Sequence, residues 1–259
     1  MVWIPPSGVG ARRQGHLCRV IEHRRRPNVV HGRQGLVVSL FAARYYTSDD
    51  LGTVHGRKRR SRPRRDGDRA HSLDRLDENC KFYKHLTHLF YCKWLHPGTS
   101  AKIKSIYIKK NCKDPRHHIR FHGTQRACYE GSSGDKWKPC SNNNCYTCSI
   151  LRNGFSISKS DPSSMFGPAI YSTIVSSKAN LYAKNHNIAS RKHAIIVCGV
   201  FLGRCACVSR PGDYSAFDTV EATTTSQGGS VNYPETVSYR QRNVVPLGVI
   251  VYTRKGWSP

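Results

Sequence analysis

Acidic residues are scarce in this chain: Asp and Glu together number 16 among 259 residues, against 42 Lys and Arg. The formal charge is therefore +26 with histidine neutral, which points to a polyanionic partner such as nucleic acid, or to an acidic surface. Long apolar runs are missing as well. The longest, residues 35–43 and 244–252, are about half of the roughly 20 residues that a helical membrane span needs. No membrane partner is expected. Nor is there a secretory signal pattern, an internal repeat, a G-x-G-x-x-G or a G-x-x-x-x-G-K-[ST]. A repeat array and the Rossmann and P-loop nucleotide sites are thereby excluded. What is present, 38% apolar residues, suffices for a real core and excludes a wholly disordered chain.

The cations are unevenly typed. Residues 1–79 carry 16 Arg and a single Lys, Lys58, whereas residues 80–259 carry 15 Lys and 10 Arg. With eight acids in each part, the net charges are +9 and +17. This shift predicts a boundary near Asn79, with a basic, disordered leader over 1–79 and a folded domain over 80–259. Within the leader, residues 57–65 (RKRRSRPRR) hold seven basic residues in nine, a run that repels itself and that Pro63 keeps from being helical. Three readings of the leader stand side by side: a nuclear-localisation or nucleic-acid tail, a mitochondrial presequence leading into LFAARYYTS, and an extension without function. The basic run favours a nuclear location, with mitochondrial and cytoplasmic locations as alternatives.

From Cys80 the pattern changes. Phe82, Leu86, Leu89, Phe90 and Trp94 share one helical face, so a helix is predicted over 80–95, ending at His96-Pro97-Gly98. β-rich runs are predicted at 103–108, 119–121, 169–173, 194–202, 236–239 and 244–252, with helices at 144–153, closed by Gly154, and 177–186, opened by Ser176. Strands separated by Gly- and Ser-rich loops, with two or three helices, give an α+β class and argue against a doubly wound parallel sheet.

Four cysteines, Cys128, Cys140, Cys145 and Cys148, fall within 21 residues at spacings x11, x4 and x2. Four thiolates around a tetrahedral ion are the usual closed structural zinc site, and the polar stretch between them is of the kind a metal organises. Two disulfides or four unrelated thiols are the alternatives. The odd total of 11 Cys and the lack of a secretory signal favour a reducing compartment, and hence metal over disulfides.

Four short strings carry the chemistry. A β run ends in Arg120-Phe121-His122-Gly123-Thr124; residues 165–182 read MFGPAIYSTIVSSKANLY; residues 217–220 read FDTV; residues 232–240 read NYPETVSYR, followed by VVPLGVIVYT. In this order they resemble the catalytic domain of the poly(ADP-ribose) polymerase (PARP) type of ADP-ribosyltransferases, most like fungal PARP-like proteins with a Cys-rich insert, here 128–148. The resemblance spans residues 80–254.

That resemblance implies an ADP-ribosyltransferase-type fold, with two antiparallel or mixed sheets around an NAD cleft and a few flanking helices. It implies an enzyme that transfers ADP-ribose from NAD+ to a protein, itself, or a DNA or RNA acceptor, with release of nicotinamide. The family's catalytic triad falls on His122, Tyr171 and Glu235, and cosubstrate contacts on His122, Gly123, Thr124, Tyr171 and Tyr182. Tyr171 and Tyr182 would sandwich the nicotinamide ring, the Gly123 backbone would hold the carboxamide, and His122 would bond the adenosine-side ribose. Two positions depart from the pattern: the usual carboxamide-binding serine is Ala179, and a frequent adenosine-side arginine is Ser156. The chemistry suits these residue types. Breaking the nicotinamide–ribose bond builds positive charge on the sugar, which a carboxylate such as Glu235 stabilises, while the neutral leaving group requires no general acid. The alternative is an inactive PARP-like fold acting as a zinc-stabilised nucleic-acid-binding or regulatory protein.

Overall fold

The computed structural model describes residues 71–110, 117–132 and 134–257, so the expectations for residues 1–70 lie outside the described part. The element order is β1 (Leu73–Arg75), α1 (Lys81–Cys92), β2 (Ser100–Lys109), β3 (His118–Gly123), β4 (Lys136–Trp137), α2 (Tyr146–Asn153), β5 (Ile170–Ser172), α3 (Ser176–Tyr182), β6 (Lys192–Val200), β7 (Cys205–Val208), β8 (Thr219–Ala222), β9 (Glu235–Ser238) and β10 (Val244–Lys255). They form a six-stranded sheet ordered β3-β6-β10-β2-β1-β4 and a four-stranded sheet ordered β5-β9-β8-β7. Every pairing is antiparallel except β7 with β8. The class is α+β with two sheets, as expected.

Hydrophobic pattern explains the centre of the large sheet. β6 and β10 read as nearly unbroken apolar runs and are buried along most of their length, which is what strands covered on both faces require. Pro246 lies inside β10 at a register shift against β6, the bulge position where a missing N–H is tolerated. On one face, Phe82, Leu86 and Phe90 of α1 and Ala179 and Ala183 pack on Ile106, Phe121, Ile195 and Tyr252. Burying side chains of this size stabilises by about 1.5–3 kcal/mol each. On the other face, Trp137 of the Cys-rich insert packs with Leu73, Tyr107, Leu151 and Val249. The small sheet has its own core around Phe166, Val220, Val237 and Tyr239.

Several boundaries differ from expectation, each for a physical reason. Ordered structure is present before Cys80: Leu73–Arg75 is an interior strand between β2 and β4, with Leu73 fully buried. A three-residue strand whose register is set by its neighbours has no periodicity of its own to display. α1 stops at Cys92 because Trp94 turns back onto Phe90 and Tyr252 and donates its indole N–H to Thr99 at 3.0 Å. α2 starts at Tyr146 because the Asn142 side chain holds the N–H of Asn144 at 2.9 Å in a turn. Gly154 closes it at φ 80° as anticipated. Ser176 is the first residue of α3, not its cap, and its hydroxyl donates to Phe90 O at 2.6 Å. That helix ends at Tyr182 because residues 184–186 exchange backbone hydrogen bonds with Arg126 instead.

The two sheets are joined by an apolar cluster, in which Ile170 of β5 packs with Ile196, Cys198 and Val200 of β6, and by backbone pairing. Phe121 of β3 and Thr173, just beyond β5, exchange backbone hydrogen bonds of 2.7 and 3.0 Å. Beside this bridge, Arg120 donates to Thr236 Oγ1 and Glu221 Oε1, both at 2.8 Å, and Thr236 donates to Glu221 at 3.0 Å. Arg120 on the large sheet is thus clamped to β8 and β9 of the small one. Arg120→Ala is expected to lower stability by about 1–2 kcal/mol, since the pair is partly exposed at Glu221. The measurement is the urea midpoint of the full chain, and an unchanged midpoint would show that the clamp holds nothing.

Candidate functional site

Between the sheets lies a cavity of about 1290 Å³, ample for a dinucleotide-sized ligand. His122, Gly123, Thr124, Tyr171, Tyr182 and Glu235, singled out in the sequence from separate stretches, all line it, as do Ala179 and Ser156. Four of the exposed large apolar side chains, Tyr146, Met165, Leu181 and Tyr182, lie on its walls. Apolar surface gathered at the mouth of a cleft marks a binding site rather than scattered exposure.

Each side chain has a positional cause. His122 is the penultimate residue of β3, and its Nδ1 lies 2.8 Å from Tyr171 O. A carbonyl only accepts, so Nδ1 carries the proton and Nε2 keeps its lone pair. Burial pushes this imidazole below its ordinary value, opposed by the bond to Tyr171, so the ring is neutral near pH 7. Its ring meets Phe155 edge-on at 5.0 Å. Tyr171, the middle residue of β5, donates its hydroxyl to Gly167 O at 2.8 Å and accepts from the N–H of Phe166 at 3.0 Å, so its ring cannot swing. Burial pushes the phenols of Tyr171 and Tyr182 up, and the charge of Glu235 adds to both shifts. The two rings therefore lie within electrostatic reach of one carboxylate.

Gly123 is required by packing. A Cβ built there would meet the carbonyl oxygen of Ala179 at 1.7 Å, so the end of β3 rests directly on α3. Only a residue without a side chain allows this approach, and it sets the depth of the cavity floor.

Glu235 opens β9, where its carboxylate accepts from Lys178 Nζ at 2.6 Å; the side chains are 15% and 11% exposed. The same ammonium donates to Tyr233 O at 2.9 Å. Burial pushes Lys178 down, and the bond and charge of Glu235 oppose it. Lys178 was not singled out in the sequence. Its signal was a lone cation among the small residues of S-S-K-A-N, a place where a lysine has no reason to be buried unless paired. Thr173 was missed too. Its hydroxyl donates to Pro234 O at 2.6 Å and accepts from the N–H of Val175 at 3.0 Å, joining the starts of β9 and α3. His96, read only as a helix stop, also lines the cavity. It stacks on Tyr233 at 4.4 Å, with Nδ1 2.7 Å from the Ser177 hydroxyl.

The sulfur atoms of Cys128, Cys140, Cys145 and Cys148 lie within 4.8 Å of one another, and none of the four is disulfide-bonded. Cys128 is 3.6 Å from both Cys145 and Cys148. Four sulfurs about 2.3 Å from a tetrahedral ion stand about 3.8 Å apart, so the donor set fits a metal ion. Hydrogen bonding among the three sulfurs pushes Cys145 down and Cys128 and Cys148 up. Beside the cluster, the buried guanidinium of Arg126 donates to Lys192 O at 2.7 Å and Ser190 at 3.1 Å, while its Nε has no hydrogen-bond partner. Burial pushes Arg126 down, and the charges of Cys128, Cys145 and Cys148 oppose it. A buried cation would complement the thiolates that a bound metal ion requires.

Two substitutions probe this geometry. Gly123→Ala is expected to destabilise the fold by about 1–3 kcal/mol, as overpacking does, seen as a lower denaturation midpoint; wild-type stability would mean that β3 and α3 are not in contact. Lys178→Met leaves Glu235 buried without its cation and is expected to cost about 3 kcal/mol, measured by equilibrium unfolding at neutral pH. A variant as stable as the parent would show that the carboxylate has no need of the ammonium. No protein-family model and no curated protein matches this chain, so what the cavity does is decided by the residues that line it.

Proposed function

We propose that the chain is a PARP-like ADP-ribosyltransferase that transfers ADP-ribose from NAD+ to a protein or nucleic-acid acceptor and releases nicotinamide. The observation that carries this reading is the shared cavity of His122, Tyr171, Tyr182 and Glu235, with a buried cation on the carboxylate. The nicotinamide ring lies between the π-faces of Tyr171 and Tyr182, with the Gly123 backbone on its carboxamide and Thr124 beside the dinucleotide. His122, with Nδ1–H committed to Tyr171 O, accepts a ribose hydroxyl on the adenosine side through Nε2.

Glu235 bonds the hydroxyls of the nicotinamide-side ribose, and Lys178 holds that carboxylate in place. As the C1–nitrogen bond breaks, its electron pair leaves with neutral nicotinamide and positive charge grows on the sugar. The carboxylate tightens its hold on that state more than on the ground state. The acceptor's lone pair then forms the new bond to C1 and its proton passes to solvent. Ala179 offers no hydroxyl to the carboxamide and Ser156 no cation to the adenosine half, so ground-state affinity rests on the aromatic faces and backbone. Cys128, Cys140, Cys145 and Cys148 would hold Zn2+, which supplies folding energy rather than chemistry.

A second reading, a nucleic-acid-binding or regulatory protein on an inactive fold, is favoured by the same two departures together with the net +26. One experiment separates them: the zinc-loaded full chain is incubated with labelled NAD+, with protein and with nucleic acid supplied separately, and products are identified by mass spectrometry. Nicotinamide release and a labelled acceptor are expected, and Glu235→Gln is expected to lose about 100-fold or more of the rate while remaining folded at the assay temperature, as checked by circular dichroism. No release from a folded protein that binds DNA or RNA with a steep salt dependence would give the second reading instead.

A further inference from the structure

α2 faces two sites at once. The helix has eight residues and no side-chain cap at its start, too short to persist without tertiary anchors. Its anchors lie on one stripe. Cys145 at its N-cap and Cys148 in its first turn belong to the sulfur cluster, both fully buried, and Arg152 donates to the carbonyl of Cys140. Its other stripe, Tyr146, Ser149, Ile150 and Asn153, lines the cavity. The spacing is that of two faces of one helix.

The third sulfur comes from the segment leaving β3. Cys128 follows closely on Gly123 and Thr124, and Gln125 between them receives both the N–H and the hydroxyl of Thr147, at 3.0 and 3.1 Å. An ion bound to the four sulfurs would therefore tie the segment leaving β3 to α2, in a cluster that packs on Val249 and Val251 of β10 and Ala194 of β6.

We propose that Cys128, Cys140, Cys145 and Cys148 are positioning residues for the dinucleotide cleft: a metal ion on their sulfurs fixes the α2 wall against the end of β3, and thereby sets ligand affinity. The ligand part rests on the cavity being a dinucleotide site; the ordering of α2 does not. Without the ion, α2 keeps one N–H and one hydroxyl bond from Thr147 to Gln125 O and the burial of Leu151, few anchors for an eight-residue helix, whereas β6 and β10 are paired on both sides and hold without the ion.

The test compares the full chain loaded with Zn2+ and stripped by a chelator, and a Cys140→Ser variant, which removes one sulfur without altering α2. Two quantities are read: amide hydrogen exchange across residues 146–153 and across β10, and the affinity for ADP-ribose by calorimetry. Stripping and Cys140→Ser are each expected to speed exchange in α2 about tenfold or more with β10 unchanged, and to weaken ADP-ribose binding about tenfold. Unchanged α2 protection overturns the proposal, whatever the affinity does, and equal loss in β10 overturns it too, since the ion would then hold the whole fold. Unchanged ADP-ribose affinity with a loosened α2 overturns the coupling to the cleft. Should ADP-ribose bind neither form while α2 still follows the metal, the dinucleotide reading fails and the ordering of the wall is upheld.

Discussion

The backbone pairing of Phe121 with Thr173 is the constraint on which the rest of this molecule depends. Two sheets whose main cores are separate are joined there by two hydrogen bonds, and His122, Gly123, Tyr171 and Ser172 line the cavity within a few residues of that contact. His122 and Gly123 follow Phe121 along β3. Tyr171 precedes Thr173, and the Thr173 hydroxyl ties down both the carbonyl before Glu235 and the start of the helix that carries Lys178 and Tyr182. Because buried backbone donors and acceptors must be satisfied, this junction cannot open without leaving several of them unpaired. The cavity is therefore rigid at its floor.

Charge in this chain is organised by scarcity. With few carboxylates available, several of them are used inward or against the sheets: Glu235 on Lys178, Glu221 on Arg120, Asp218 on Arg240, and Asp74 on Lys110 and Lys136. The sulfur cluster, not a carboxylate, lies beside the buried Arg126. Among the described residues, most other Lys and Arg side chains are exposed, where a positive field is of the kind that draws polyanions. The surplus thus has two consequences of different kinds, a steering field outside and a small number of paired, partly buried cations inside.

Legibility followed the physics of each element. β6 and β10 are long, doubly covered and β-branched, so their apolar runs announced them, and α1 displayed its stripe at helical spacing. β1, β4 and β7 are short strands whose pairing partners decide them; a two- or three-residue segment such as Lys136–Trp137 carries no period. Ser176 looked like a helix cap because its residue type favours that role, yet the Phe90 carbonyl was a better partner once α1 packed beside it. Among the cavity residues, those set in distinctive strings were found by type and order. Lys178 and Thr173 were not, because their role exists only as a contact to Glu235 and Pro234 across more than fifty residues of chain.

By itself the sequence determined the α+β class, the surplus of positive charge, the covered strands and four thiols close enough along the chain to share an ion, since each of these is set by composition, period or local spacing. Only the tertiary structure decided that Glu235 is held by Lys178, that the end of β3 rests on the Ala179 carbonyl, and that α2 turns one stripe to the sulfurs and another to the cavity. Those facts are distances between segments far apart in sequence, and they come from packing, which no local pattern records.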